Sequence, residues 1–557
     1  MLADLKRPLA RIFPLLPLLG VVGITVRLYW NLARATDLRL FDEAIYLSAG
    51  SRFLHQGVIP AFEWSPLYAA WYAAHLAVFG DPIVAYYAQR YSVVVLTAIL
   101  MYVYLRQIAV PTPLAFLATI LWIAQPAYTD ESTVGYPRPY HFALLVFLAG
   151  AIAIRRLKID RPVPLVLAGA GFLLLAAAAR NEYFLALMFF VGLVAVSSRF
   201  RSQPLLPTEH GTYPWPVCLL AGAGTLTTGI YLKGQVLRIS RFWLAFAQHY
   251  SAYQFYKTTP GGKQNPMLDW ELIAGRTFPG AHSMLGAALA NPSAFLRFEL
   301  HNITTAPRIT CAYLIAPPYA HMKVLVLCLA LVWLSFITLT SVSVRRHALF
   351  TSASALGAYV LSGAATAIPS TLVTPKIGYF LPLLFVVFVG AVKWLSVVFE
   401  NEPAVYRSVG AVSAILLSLT FAAIRSPFDK SEGAEKPLLL EVSEVSAILE
   451  QQRVQGARIL QVDGASYSAF VPYGLPEEVN AYEDRRDAEG FWDFVQRAHI
   501  DAILVDEQLR LSGRYRDDQD FSLLLASPDQ FGWIGVPVGT RGDVFYLRDR
   551  RQNSLRR

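Results

Sequence analysis

Eleven runs of mostly apolar residues, each close to the length that crosses a bilayer, dominate this chain; they fall at 12–30, 82–105, 113–128, 140–154, 163–179, 183–198, 215–233, 321–341, 348–366, 377–397 and 407–424. A spanning helix needs about 20 such residues, or about 17 at the short end. Within the hydrocarbon every backbone amide and carbonyl must be paired inside the segment, so these runs read as helices. Composition agrees: 55% of the 557 residues are hydrophobic and 16% charged, where soluble proteins carry roughly 25% charged residues. An ordinary soluble enzyme, a disordered protein and a disulfide-rich secreted domain are excluded.

The formal charge of +9 averages two different parts. Residues 1–424 hold 31 basic and 16 acidic residues, whereas residues 425–557 hold 17 basic and 23 acidic. The first part reads as the membrane protein and the second as a water-soluble domain. Cys218, Cys311 and Cys328 lie in or beside apolar stretches without metal-ligand spacing, so neither a disulfide framework nor a cysteine metal site is expected. The basic residues sit between apolar segments rather than in a stripe with interleaved aromatics, which argues against nucleic acid as a partner.

Cytoplasmic loops collect Lys and Arg. With the N-terminus inside, the inner segments carry 13 basic residues and the short outer loops six. An odd number of spans then puts the tail outside. The first run also has the basic start of a secretory signal, with Ala33-Arg34-Ala35 as a cleavage-like site; its length and its end in Arg27, Tyr29 and Trp30 favour a retained anchor. The expected protein is therefore a multi-pass protein of the inner (plasma) membrane, with a cytoplasmic N-terminus and a periplasmic C-terminal domain.

Three regions are expected outside the bilayer: a first periplasmic loop over 31–81, a long periplasmic loop over 234–320, and the tail over 425–557. In the long loop the aromatic stretch 236–256, with Arg238, Arg241 and His249, suits a helix lying in the interface. In the tail, apolar runs at 458–463 and 500–506 flank a helical pattern at 488–500, and a third strand is expected at 543–549. That order reads as a small α/β domain.

Nucleotide loops, zinc-protease helices and nucleophile elbows are all absent. Asp518-Gln519-Asp520 has the D-x-D form of nucleotide-sugar enzymes, but lies in a charged stretch that reads as a solvated face. Asn302-Ile303-Thr304 is a glycosylation sequon by its letters only. The informative acids are those expected just outside the membrane, where a carboxylate near a low-dielectric boundary is costly unless partnered. Asp42-Glu43 lies among apolar and aromatic residues; the plainer reading makes Asp42 the cap of a helix over 43–54. Glu63 is a lone acid among aromatics. Asp130-Glu131 is followed by Arg138 and His141, and its plainer reading is an exposed turn. Arg180-Asn181-Glu182 forms the third outer turn. His301 and Arg308 close the long loop, and Lys376 and Tyr379 open the tenth span. Each base alone reads as an interface anchor; together they bring acids and bases to one membrane face.

This pattern resembles the GT-C superfamily of membrane glycosyltransferases, most nearly the branch holding protein O-mannosyltransferases and the lipid A aminoarabinose transferase. Asp42-Glu43, with Tyr46 behind it, is similar to that branch's first-loop Asp-Glu motif. The stretch from Phe62 to Leu67 resembles its Glu-Lys-Pro-Pro-Leu segment, with Trp64 and Ser65 in place of the Lys and first Pro. Arg180-Asn181-Glu182 is like its Arg-Pro-Glu turn. Lys376 through Pro382 is similar to its Arg-Tyr-x-x-x-x-Pro segment, with Lys for Arg and two residues before Tyr379.

The resemblance implies a polytopic α-helical membrane protein of about 11 transmembrane helices, with a GT-C-like catalytic domain over 1–424 and a soluble α/β domain over 425–557. It implies transfer of a sugar from a polyprenyl-phosphate donor to a glycan, lipid or protein acceptor. Asp42 is then the general base of an inverting single displacement. Arg138, Arg180, Arg308 and Lys376 are candidates to meet the leaving phosphate. Glu43 and Glu63 orient the acceptor or hold a divalent metal, the one cofactor the resemblance admits. Asp130, Glu131, His141, His301 and Tyr379 complete the expected substrate-binding set. Two rivals share the spans: a transporter or flippase of lipid-linked intermediates, and an envelope scaffold that binds through its tail. A transporter would place ionisable groups near mid-bilayer in two similar halves, and neither feature is visible in the sequence.

Overall fold

A computed structural model describes residues 16–38, 42–60, 65–125, 139–156, 162–200, 240–259, 266–267, 270–315, 355–373, 375, 377–401, 408, 428, 435–462, 467–472, 476–481, 484–485 and 489–549. Helices cover eight of the expected spans: Leu16–Tyr29, Pro82–Gln107, Thr112–Ala124, Pro139–Arg156, Pro162–Ala179, Tyr183–Phe200, Ala355–Ser362 running on to Val373, and Ile377–Asn401. Among the described residues five segments are long and apolar enough to cross a membrane: Leu16–Ala35, Pro82–Gln107, Pro139–Arg156, Leu356–Val373 and Gly378–Val397. Thr112–Ala124, Val166–Ala179 and Tyr183–Val194 are apolar but shorter. Of the eleven expected spans, the described residues thus hold five full-length candidates and three shorter helices. The expected spans 215–233 and 321–341 lie outside the described residues, as does all of 407–424 except Ser408.

The chain divides into two compact units, neither contiguous in sequence. The first takes residues 1–35, 90–236 and 301–432. Its helices pack through aromatic side chains: Tyr359 stacks on Phe147 at 4.7 Å between ring centroids and donates a hydrogen bond to the Phe147 carbonyl at 3.0 Å. Trp122 and Tyr104 both meet Phe385. Tyr29 donates to the Ile123 carbonyl at 2.8 Å. Buried hydroxyls of Thr25, Thr97 and Thr119 are satisfied within their own helices by the carbonyl four residues earlier, the local bond open to Ser and Thr where water is absent. Large apolar side chains such as Leu19, Leu121, Leu167, Phe189 and Val387 remain exposed on these helices, as suits surfaces that face lipid rather than water.

The second unit takes residues 36–89, 237–300 and 433–557. Its tail carries a five-stranded sheet of β1 Arg458–Gln461, β2 Glu477–Asn480, β3 Ala502–Val505, β4 Trp533–Val538 and β5 Asp543–Arg548, in the order β2-β1-β3-β5-β4. β1 runs parallel to β2 and β3, whereas β5 runs antiparallel to β3 and β4. The expected strands at 458–463, 500–506 and 543–549 and the helix at 488–500 are present as β1, β3, β5 and Phe491–Arg497. The sequence reading missed β2 and β4, because one is mostly acidic and polar and the other holds Gly535 and Pro537 within it. Glu441, fully buried on helix Pro437–Gln451, is bound in bidentate fashion by Arg541 at 2.8 and 2.6 Å and accepts from Tyr467 at 2.7 Å. Burial and the neighbouring Glu441 charge push the Asp543 carboxyl up to about 6.

Asp518 is not the solvated residue expected. Its carboxylate caps helix Gln519–Ala526 by accepting from the Phe521 amide at 3.1 Å, and it pairs with the buried Arg485. The Asn302 sequon sits inside helix Pro292–Ile315 with its side chain buried.

The aromatic stretch expected at 236–256 forms helix Ser240–Thr258. Its Trp243, Phe246 and Tyr250 side chains do not present a free apolar face. They pack on Phe278, Ala287 and Phe298 from helices of the same unit. Glu299 follows Phe298 into the interior: it is 6% exposed, and neither carboxylate oxygen has a partner among the described residues.

In the first loop, helix Asp42–Gln56 lies against helix Pro66–Phe79. Gly50 permits the approach, since a Cβ there would stand 2.6 Å from the Ala69 carbonyl oxygen. Gly50→Val is therefore expected to cost about 1–3 kcal/mol of overpacking, read as a lower unfolding temperature of the detergent-purified chain. Burial pushes the Glu299 carboxyl up to about 7 from its ordinary 4.5. A raised carboxylate value stabilises the fold below the ordinary value and loses that stability as pH rises through the folded one. Wild-type protein is thus expected to lose unfolding temperature between pH 4.5 and 7, while Glu299→Gln loses less across that window and is the more stable of the two at pH 8.

Candidate functional site

Helix Asp42–Gln56 begins on the acidic pair itself. Asp42 is its first residue, one position inside the cap role that the plainer reading allowed; its side chain lies outside the described residues. The helix has two working faces. Positions 43, 46, 47 and 50 are buried, and 45, 49, 52 and 56 line a cavity of about 590 Å³.

Glu43 is 1% exposed. Its Oε1 accepts from the hydroxyls of Tyr68 at 2.9 Å and Tyr72 at 3.0 Å. These tyrosines stand one turn apart on helix Pro66–Phe79, so both hydroxyls reach one oxygen. Gln89 backs the pair, its Nε2 donating to the Tyr72 hydroxyl at 3.3 Å. Tyr46 packs edge-on against Tyr68 at 5.5 Å. The second oxygen of Glu43, Oε2, is buried with no hydrogen-bond partner among the described residues. A buried carboxylate oxygen in that state is an acceptor for a hydroxyl, an ammonium or a metal ion.

Ser65 turns the chain into Pro66 in the left-handed conformation, at φ 53°, uncommon for a residue with a Cβ. Across the cavity from Ser48, Arg52 and His55 stand Ser468, Glu478 and Asn480 of the tail. Half of this lining is hydrogen-bonding side chain, which suits a hydroxylated ligand better than a hydrocarbon one.

A second constellation lies in the other compact unit. Arg180 follows helix Pro162–Ala179 and binds Glu182 in bidentate fashion, at 3.1 Å from Nε and 2.7 Å from Nη2. Both side chains are mostly buried, at 12% and 16% exposure. The guanidinium plane lies over Tyr140 at 4.5 Å and over Tyr379 at 5.1 Å, and the two rings meet at 5.3 Å. Gly378 makes this possible, because a Cβ there would overlap the Tyr140 ring. A guanidinium fits this place better than an ammonium would, since it is planar, stacks on rings and forks to a carboxylate.

Of the residues expected from sequence, Glu43 is thus held in one cluster and Arg180 with Tyr379 in the other. His141 is buried in the first turn of Pro139–Arg156, and His301 is exposed on Pro292–Ile315. Arg308 is part of that last helix, with a side chain outside the described residues. Glu63, Asp130, Glu131, Arg138 and Lys376 lie wholly outside them. Sequence reading passed over Tyr68, Tyr72, Gln89 and Tyr140. The four-residue spacing of Tyr68 and Tyr72 after a helix-starting proline is the signal that could have found two of them. Among the described residues no group of three His, Cys, Asp or Glu side chains stands close enough to hold a metal ion.

No family profile and no curated protein sequence matches the chain. Among solved structures it is similar to the archaeal oligosaccharyltransferase AglB from Archaeoglobus fulgidus in complex with an inhibitory peptide and a dolichol-phosphate. The TM-score is 0.45 at 13% identity, over 97% of this chain and 75% of that one. The same organism's oligosaccharyltransferase in its apo form gives 0.44 at 12% identity over 97% and 75%. The form tethered to an acceptor peptide through a disulfide gives 0.42 at 13% over 97% and 74%. These are distant likenesses.

Replacing Tyr68 and Tyr72 together by Phe leaves the Glu43 carboxylate buried without its donors, a loss of about 1–3 kcal/mol. Adding Glu43→Gln removes the stranded charge. The triple variant is expected to unfold at a higher temperature than the double, which a thermal series on three purified variants checks.

Proposed function

We propose that the chain is an integral-membrane glycosyltransferase that moves a sugar from a polyprenyl-phosphate donor to an acceptor on the extracytoplasmic face. The observation that carries this reading is the half-satisfied Glu43 carboxylate beside Asp42 at the start of one helix. One oxygen of Glu43 is fixed by two tyrosine hydroxyls and the other is buried without a partner. Burying a carboxylate in that state is expensive. It is retained where a ligand supplies the missing donor, and an acceptor hydroxyl does so.

In this mechanism Asp42 draws the proton from the acceptor hydroxyl as that oxygen attacks the anomeric carbon. The positive end of the helix dipole favours the ionised carboxylate at that position. Glu43 Oε2 accepts a second hydrogen bond from the acceptor and so orients it. The anomeric bond to phosphate breaks as the new glycosidic bond forms on the opposite face, which inverts the configuration. Negative charge that gathers on the departing polyprenyl phosphate is met by cationic side chains, of which Arg138, Arg180, Arg308 and Lys376 are the candidates. A preorganised donor of this kind contributes roughly 3–4 kcal/mol. The two stacking tyrosines and Glu182 hold the Arg180 guanidinium in a fixed orientation, which is what preorganisation requires.

A lipid-linked donor reaches the protein laterally from the bilayer and needs no nucleotide fold, in keeping with the absence of nucleotide motifs from the sequence. With detergent-purified protein and a polyprenyl-phosphate sugar, Asp42→Asn is expected to lower the transfer rate about 10²–10⁴-fold. Near-normal transfer by that variant, measured without any ion gradient, would overturn the assignment of the base.

A further inference from the structure

Helix Pro437–Gln451 opens the tail without a cap of its own: Lys436 stands at the N-cap position and makes no side-chain capping bond, and Pro437 follows it. The first free amides are capped instead by a residue 401 positions earlier. Asp37 Oδ2 accepts from the Leu438 amide at 2.9 Å, and Oδ1 accepts from the Leu439 amide at 2.9 Å. This is the work of an N-cap carboxylate, with negative charge at the positive end of a helix, done across the fold. Oδ1 also accepts from the Leu38 amide at 2.8 Å, which fixes the chain around Asp37. One residue earlier, the Thr36 carbonyl accepts from the buried Tyr87 hydroxyl at 2.7 Å. The strand of chain that leads to Asp42 is therefore gripped at two successive residues.

The tail also holds the far side of the acidic pair. The short helix Tyr467–Phe470 packs on helix Asp42–Gln56, and Phe470 meets Tyr86 edge-on at 5.2 Å. Chain on both sides of Asp42 is thus tied to the tail.

We infer that Asp37 is a positioning residue, through which the tail sets the helix that carries Asp42 and Glu43; the inference rests on the catalytic reading of that pair. Asp37 touches no substrate. Its carboxylate acts by joining the tail's first helix to the segment entering Asp42, with both oxygens accepting from backbone amides. Asparagine keeps one acceptor oxygen but sets an Nδ2 donor against the second amide, and alanine keeps neither.

The test uses the full-length protein in detergent and follows release of polyprenyl phosphate from a polyprenyl-phosphate hexose. Asp37→Ala is expected to lower kcat about tenfold with the donor KM unchanged, and Asp37→Asn, which keeps one of the two acceptor oxygens, to fall between Asp37→Ala and wild type. Lys436→Ser supplies the helix with its own cap. Added to Asp37→Ala it is expected to restore the unfolding temperature but not kcat, because the tie to the first loop is still missing. Spin labels at Arg52→Cys and Glu477→Cys read the same coupling without turnover. Their distance distribution is expected to broaden in Asp37→Ala and in the double variant alike.

Full recovery of kcat in the double variant or a narrow label distance in Asp37→Ala would each overturn the inference. Asp42→Asn separates the two levels. If it transfers normally, the catalytic reading fails. If it is inactive while Asp37→Ala keeps both kcat and the narrow distance, the positioning role alone fails.

Discussion

A carboxylate taken out of water must be met by a cation, a helix terminus or hydrogen-bond donors, or it strains the fold that holds it. This constraint organises both compact units. Glu182 is met by the Arg180 fork, Glu441 by Arg541 and Tyr467, Asp518 by Arg485 and a helix amide, and Asp37 by the open end of a helix. Glu43 and Glu299 depart from the pattern. Among the described residues Glu43 is met on one oxygen and has no partner on the other, and Glu299 has none on either. The burden of Glu299 falls on its carboxyl, raised by burial. Glu43 instead stands at the helix start where the acidic motif places it.

The tail domain takes its meaning from where it is tied. A soluble domain at the end of a membrane chain reads, on composition, as an appendage. Here its backbone amides and an aromatic ring attach it to the first loop and the helix that follows. The first helix of the tail is completed by a first-loop carboxylate, and its Tyr467–Phe470 turn lies on the helix of the acidic pair. The cavity between that helix and β2 draws its lining from both sequences. A substrate-sized space is thereby built from chain segments some four hundred residues apart.

Much of this was legible in the residues, and the limits have physical causes. Long apolar runs became helices because hydrophobicity and backbone pairing are local demands. The tail's three apolar strands and one helix were found for the same reason. β2 and β4 were missed because their pattern is polar or interrupted, and their strand form comes from partners elsewhere in the sheet. The aromatic helix Ser240–Thr258 buries Trp243, Phe246 and Tyr250 against Phe278 and Phe298, a packing that its own sequence does not reveal because its partners come from later segments. Asp518 read as solvated because a charged stretch does not reveal which of its members caps a helix.

By itself the sequence determined the membrane class, the α/β character of the tail and the acidic pair at positions 42 and 43, since each follows from composition or from neighbours within a few residues. Tertiary structure alone decided that Tyr68 and Tyr72 converge on one oxygen of Glu43, that Tyr140 and Tyr379 enclose Arg180, and that Asp37 completes a helix begun four hundred residues later. Those arrangements depend on close approach between segments distant in the chain, at Gly50 and Gly378 above all, and contact geometry of that kind leaves no periodic mark in a linear sequence.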